Sequence, residues 1–237
     1  MLNRCPWQIL EAYNKYFKLL DTINKPFRAI HLSDEFGVDD TSFYSLPMCK
    51  AVVRNYVLNA ANNAPNIITI PLGYHHKPSQ KTQKSFSERK LAWSFHGTAW
   101  FDRKKTLEKL TDVLPHNCHL TPDWNHPTMT KEEHYLMTLG DSKLCPILRG
   151  NNVETFRLYE CLEAGTIPLY VRQTGDDGFW KFISNIGLRE LTDWDEAKLM
   201  INDFLKNEEE AEKYRVGVLN RWSKWKQSLQ MECISKL

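Results

Sequence analysis

The stretch "RGNNVETFRLYECLEAGTIPLYV", residues 149–171, decides how this chain is read. A polar turn leads into a segment whose apolar residues recur at helical spacing, and an apolar run follows. Gly165 supplies the left-handed conformation that ends many helices, and Pro168 suits the first residues of a strand. The pattern predicts a helix over 154–164 and a strand over 167–171.

The same alternation runs back along the chain. Strands are expected at 91–96, 117–120 and 143–148, with helices at 102–114 and 130–139 between them and further helices at 195–206 and 208–228. Strands alternating with helices imply right-handed crossovers and a parallel sheet covered on both faces, so the second half reads as a Rossmann-type lobe. The first half is a shorter α/β unit. Trp7, Leu10, Tyr13, Phe17 and Leu20 mark a helix over 7–22, and strands are expected at 27–32, 51–58 and 67–72. Residues 75–90, HHKPSQKTQKSFSERK, are polar, basic and without periodicity, which suits a linker or mobile loop. The division drawn from this is 1–88 and 89–237, with the last helix packing back on the first lobe.

Composition bounds the function. At 237 residues, with 42% hydrophobic and 25% charged residues, the chain is expected to be soluble and globular. A net charge of +2 gives no global field toward nucleic acid or anionic membrane. The basic segment 77–90 has few aromatics, which argues against a nucleic-acid site. No apolar run reaches the length of a membrane span, and the N-terminus MLNRCPWQIL lacks the apolar centre of a signal peptide. Cys5, Cys49, Cys118, Cys145, Cys161 and Cys233 form no CxxC pair and read as reduced, buried thiols. With no N-x-Ser/Thr sequon, the expected location is cytoplasmic, or the Golgi lumen if an N-terminal anchor has been removed. His116, Cys118, His119 and His126 cluster in sequence without the spacing of a metal site, so no metal is expected.

Ligands of open parallel sheets bind beyond the carboxyl ends of the strands. Those ends here carry His96-Gly97-Thr98 with Arg103, then Thr121-Pro122-Asp123-Trp124, then Arg149-Gly150-Asn151-Asn152 with Thr155 and Arg157. Gly97 allows close backbone approach to a ligand. Arg103 falls at a helix start, where the dipole disfavours a cation unless an anion shares the site. Arg157 and Glu160 share a helix face, which is compatible with a weak intrahelical ion pair. It also suits a guanidinium on a diphosphate with a carboxylate on ribose hydroxyls, the two groups that a nucleotide-sugar presents together. Thr155 caps the helix or donates to phosphate.

From Thr155 to Leu169 the chain reads T-x-R-x-x-E-x-x-x-x-G-T-I-P-L. This resembles the exostosin-like glycosyltransferases, glycosyltransferase family 47, whose motif is approximately S-x-R-x-x-E-A-x-x-x-G-C-I-P-V after a strand ending C-P-x-G. Cys145-Pro146 and Gly150 stand near that placement. Trp93 to Gly97 followed by Arg103 resembles the family's F-x-G…R element, and Ile70 to Tyr74 its IPLGY stretch. The resemblance covers about residues 30–175. Cys161 replaces the usual Ala, Thr155 the usual Ser, and the N-terminal half is short.

The resemblance implies a GT-B-like architecture of two Rossmann-type lobes around a cleft. It implies inverting, metal-independent transfer from a UDP-sugar, with a lean toward UDP-xylose, to a glycan acceptor hydroxyl, with no cofactor beyond that donor. It makes Arg157 and Glu160 donor contacts. Without a metal, the leaving diphosphate needs guanidiniums, for which Arg103, Arg149 and Arg157 are suited. The base is expected from the acceptor half, at Asp34 with Glu35 second, held in place by Arg54. His75 is expected to line the acceptor side, and Asp123 and Trp124 to face the uracil. The alternative is a nucleotide-sugar or glycan-binding module without turnover, which would keep Arg157 and Glu160 and need no base.

Overall fold

The computed structural model describes residues 7–32, 34–57, 65–78 and 84–237. It is mixed α/β, with two parallel sheets and two compact units, Met1–Leu72 with Trp225–Leu237, and Gly73–Lys224. Among the described residues no helix is long and apolar enough to cross a membrane.

In the first unit, α1 (Trp7–Thr22) precedes β1 (Phe27–His31), β2 (Cys49–Arg54) and β3 (Ile67–Thr69). The strands pair in parallel in that order. Phe17 of α1 stacks on Phe27 at 4.9 Å and on Phe43 at 4.4 Å, and this aromatic cluster closes one face of the sheet. β2 stops sooner than the apolar run suggests, because the backbone turns at Tyr56, whose φ is 57°; residues 58–64 lie outside the described set. β3 also stops early, ahead of Pro71, which has no N–H to give a ladder.

The second unit holds β4 (Leu91–Thr98), α2 (Arg103–Glu108), β5 (His116–Thr121), α3 (Glu132–Gly140), β6 (Ser142–Ile147), α4 (Phe156–Ala164) and β7 (Ile167–Tyr170). Then come α5 (Asp177–Ile183), α6 (Trp194–Lys206) and α7 (Glu208–Lys236), whose residues through Lys224 belong to this unit. All four strands are parallel in the order β5-β4-β6-β7. Trp93 and Phe95 join Leu144, Ile167 and Leu169 in one core with Leu107 and Leu110 and with Met200, Ile201 and Phe204 of α6. The opposite face meets α3 and α4: Ser142 Oγ donates to the Thr138 carbonyl at 2.7 Å and lies 2.6 Å from Ser94 Oγ.

This order moves the chain outward from β4 to β5, back across β4 to β6, and on to β7. The loops leaving β4 and β6 therefore diverge, and a crevice opens between the carboxyl ends of these two neighbouring strands. At the opposite end of the sheet, Arg89 donates to the carbonyls of Ser142 (3.0 Å) and Ala164 (2.9 Å) and to Thr166 Oγ1 (2.9 Å). Gly165 sits at φ 72° and ends α4 as the sequence implies.

Three features depart from the sequence pattern. α2 has six residues rather than the thirteen expected, because successive i→i−3 bonds (Lys109 to Thr106, Leu110 to Leu107, Val113 to Leu110) replace the α ladder. α5 carries no clear sequence mark; Asp176 ahead of it is buried and accepts from Tyr170, Arg172 and the Gln173 N–H. Of the cysteines, Cys49, Cys145 and Cys161 are buried thiols as expected, but Cys118 is exposed.

Candidate functional site

A cavity of about 290 Å³ lies at the crevice between β4 and β6. That is near the lower end of small-molecule pockets, which run from ~300 Å³ upward. Gly97 and Thr98 line it from the end of β4; Arg103 from the start of α2; Thr155, Phe156, Arg157 and Glu160 from the start of α4; Trp124, Met129 and Thr130 from the loop after β5; and Tyr135, His75, His76 and His96 complete it.

Arg157 lies across β4. Its carbon Cζ is 4.0 Å from the centre of the Phe95 ring, Nη2 donates to the His96 carbonyl, and Nε is sealed from solvent with no partner. A Cβ at position 97 would sit 3.0 Å from Nη2 and 3.3 Å from the Phe95 ring, so the absent side chain of Gly97 gives the guanidinium its place.

Arg103 is 6% exposed and folds back on the loops. It donates to Thr98 O (3.0 Å), Arg149 O (3.0 and 2.7 Å) and Leu148 O (3.5 Å). It thereby ties the loop after β4 to the loop after β6. Burial, and then the charge of Arg157, hold its guanidinium down to about 10. Neither arginine has a carboxylate within 4.0 Å among the described residues, and the ion pair open to Arg157 and Glu160 in sequence is not formed.

Around these cations, buried polar atoms stand without partners: Thr98 Oγ1, Thr155 Oγ1 and His96 Nδ1. Thr155 is the N-cap of α4, yet its hydroxyl caps nothing. His96 Nε2 is 2.9 Å from Asn117 Oδ1, so the ring presents Nδ1 as an acceptor. Burial lowers the His96 pKa against the opposing Asn117 bond, and His119, Arg157 and His134 lower it further.

Glu160 is 3% exposed. Its Oε1 accepts from the backbone N–H of His75 (3.2 Å) and His76 (3.0 Å), and its Oε2 from Tyr135 Oη at 2.6 Å. The carboxylate thus pins the 75–76 loop onto α4, and its remaining lone pairs face the cavity that it lines. Trp124 is half-exposed, 6.4 Å from Trp100 and 6.5 Å from His75, and forms an aromatic rim.

Gly97, Arg103, Thr155, Arg157, Glu160, Trp124 and His75 are therefore brought together. Asp123, Arg149 and Gly150 are not. Asp123 turns its carboxylate to the Asn125 N–H at 3.0 Å, and Arg149 lies exposed with its guanidinium 5.8 Å from the Phe101 ring. Gly150 contributes nearness to Arg103 rather than a cavity wall, since a Cβ there would lie 3.7 Å from Arg103 Nη2.

Asp34 and Arg54 pair within the first unit, as expected of Arg54, and both side chains are buried. Asp34 is 3% exposed; its Oδ1 accepts from the N–H of Val38 (2.9 Å) and Asp39 (3.2 Å), and its Oδ2 from Arg54 Nη2 (3.2 Å). Three of the carboxylate's roughly four acceptor sites are thereby taken. Arg54 is fully buried and also donates to Tyr44 Oη (3.0 Å) and to the carbonyls of Asn55 and Tyr56. Glu35 lies half-buried in the turn after Asp34. His31, Asp34 and Asp39 bring ligating atoms within 4.8 Å of one another. Yet His31 is bonded to Tyr44 (2.6 Å) and Asp39 (2.9 Å), and Arg54 holds Asp34, so the group is an internal network rather than a vacant metal cage.

His96 and Thr98 stand in the strand-end stretch that the sequence marks, without a role of their own there, and Tyr135 and Phe156 were not singled out. Tyr135 and Phe156 look like core residues in any helical pattern.

No protein-family model matches the chain, and no curated protein matches it either.

Proposed function

We propose that the second unit binds a nucleoside diphosphate and that the protein is an inverting, metal-independent glycosyltransferase of the exostosin-like kind, acting on a UDP-sugar. One observation carries the reading. Two guanidiniums, Arg103 and Arg157, line one cavity against a single lining carboxylate, Glu160, with which neither forms an ion pair among the described residues, beside the N-terminus of α4 and the unpartnered Thr155 hydroxyl. Two cations facing one carboxylate leave positive charge in excess, and a bound anion offsets it. A helix N-terminus adds free N–H groups and the positive dipole end.

A diphosphate suits the two guanidiniums better than a single phosphate does, because it spreads charge over two phosphorus centres. Glu160 then accepts from a ribose diol, and Trp124 offers a face to the base. As the anomeric bond breaks, negative charge grows on the diphosphate, which is where fixed cations lower a barrier. The GT-B-like pairing of the two units, with the first serving a glycan acceptor and UDP-xylose as donor, belongs to the same proposal.

Calorimetric titration of the full chain with UDP, UMP and uridine tests it. The expected order of affinity is UDP, then UMP, then uridine, with transfer or hydrolysis of at least one UDP-sugar that persists in a chelator. Equal, negligible heats for UDP and uridine would remove the nucleotide reading. Binding without turnover of any UDP-sugar would favour the non-catalytic module.

A further inference from the structure

With Asp34 closed off, the cavity's own walls hold a different candidate for the proton acceptor. We propose that His75 is the general base of the transfer, acting from within the second unit, with His76 and Glu132 as positioning residues. This rests on the nucleotide-sugar reading above.

The geometry is a short relay. Glu132 Oε2, on α3, is 3.4 Å from His76 Nδ1, and His76 Nε2 is 3.2 Å from His75 Nδ1. Both imidazoles line the cavity that holds Arg157. A carboxylate can only accept, so it selects the Nδ1–H form of His76. His76 Nε2 is then an acceptor and selects the Nδ1–H form of His75. The remaining lone pair of His75 sits on Nε2, available for a proton.

The ring is held from several sides. Trp124 and Phe156 meet it edge-on at 6.5 and 5.5 Å. The backbone of both histidines is fixed by Glu160, on the helix that carries Arg157. One carboxylate therefore sets the distance between the base and the cation awaiting the leaving group. Among the described residues, the charged and titratable groups around the pair are Glu132 and Tyr135 from α3, Glu160 and Arg157 from α4, and His96 and Arg103 across the cavity. His75 itself is exposed, as a base must be to meet an incoming hydroxyl.

In the step, the acceptor hydroxyl gives its proton to His75 Nε2. Its oxygen forms a bond to the anomeric carbon, and the bond from that carbon to the diphosphate oxygen breaks. The electron pair leaves on the diphosphate, beside Arg157. The new imidazolium is balanced by Glu132 through His76 and returns its proton to solvent.

Two measurements on the full chain test this. Long-range proton–nitrogen correlation spectra at neutral pH should show Nδ1–H on His75 and His76, with the His75 preference lost in His76→Asn. Nε2–H on His75 of the wild type overturns the relay, and this spectrum decides even when no donor in hand turns over. Hydrolysis of UDP-xylose, UDP-galactose, UDP-glucuronate and UDP-N-acetylglucosamine is the second. His75→Asn should lower kcat by about 100-fold or more with UDP affinity kept, and abolish the acid limb of the pH profile. Glu132→Gln should shift that limb with a smaller loss. Full turnover in His75→Asn, with its acid limb intact, overturns the proposal while leaving the nucleotide site standing. A wild type that binds no UDP brings down the nucleotide reading instead.

Discussion

Replacing Arg157 with methionine deletes the guanidinium and keeps an apolar stem over Phe95. A hydrogen bond from a charged donor contributes about 1.5–3 kcal/mol, and 1.4 kcal/mol is tenfold in affinity, so UDP should bind about 10- to 150-fold more weakly. The unliganded fold should change little, because two effects oppose each other. The variant loses the bond to the His96 carbonyl and a cation–π contact of ~0.5–2 kcal/mol. It also loses a charge that crowds Arg103, whose guanidinium is held near 10 partly by that neighbour. The assay is a pair of melting curves with and without UDP. At a ligand concentration of 100 Kd the wild type gains about 2.7 kcal/mol, and a variant 10- to 100-fold weaker gains about 1.4 to 0.4 at the same concentration. At roughly 2–4 °C per kcal/mol for a chain of this size, the wild-type shift is ~5–11 °C and the variant shift ~1–6 °C. An Arg157→Met protein that melts like the wild type and is raised equally by UDP would refute the claim that this guanidinium holds the anion.

Two predictions concern the first unit. Asp34→Asn leaves Arg54 buried without its counter-charge, and breaking such a pair should destabilise by about 3–5 kcal/mol, read as a lower urea midpoint, with UDP affinity unchanged. Full stability together with lost transfer would restore Asp34 as the base. Burial raises the Tyr44 hydroxyl to about 12, against the opposing charge of Arg54 and ahead of the smaller effects of Asp34 and Asp39. A raised folded pKa means its stabilising share is whole below pH ~10, the unfolded value, and is lost as pH climbs toward 12, by roughly 2–3 kcal/mol. Tyr44→Phe should remove that alkaline slope from urea midpoints measured across the window, and an identical slope in the variant would count against it.

The strand–helix alternation from residue 91 to 171 was enough to give the parallel sheet, because a period of two and a period of 3.6 leave distinct apolar patterns. The rule that ligands gather beyond strand ends then puts Gly97, Arg103, Thr155 and Arg157 on one rim from the sequence alone. Segments without a clear apolar period were not legible in this way. α5 carries no such period, and the shortness of α2 comes from a local change of ladder that periodicity does not register.

The sequence by itself determined the order of elements, the stop at Gly165, and the placing of cationic residues where β4 and β6 end. Only the tertiary structure decided which of those polar groups are engaged and which are left open. Asp34 meets Arg54 twenty residues away, Glu160 meets His75 eighty-five away, and Arg103 meets the Arg149 carbonyl forty-six away. A hydrogen bond depends on where two loops pass in space. The pattern of residue types along a chain carries the local period that builds helices and strands, and it does not carry the paths by which loops bring distant donors and acceptors to within 3 Å.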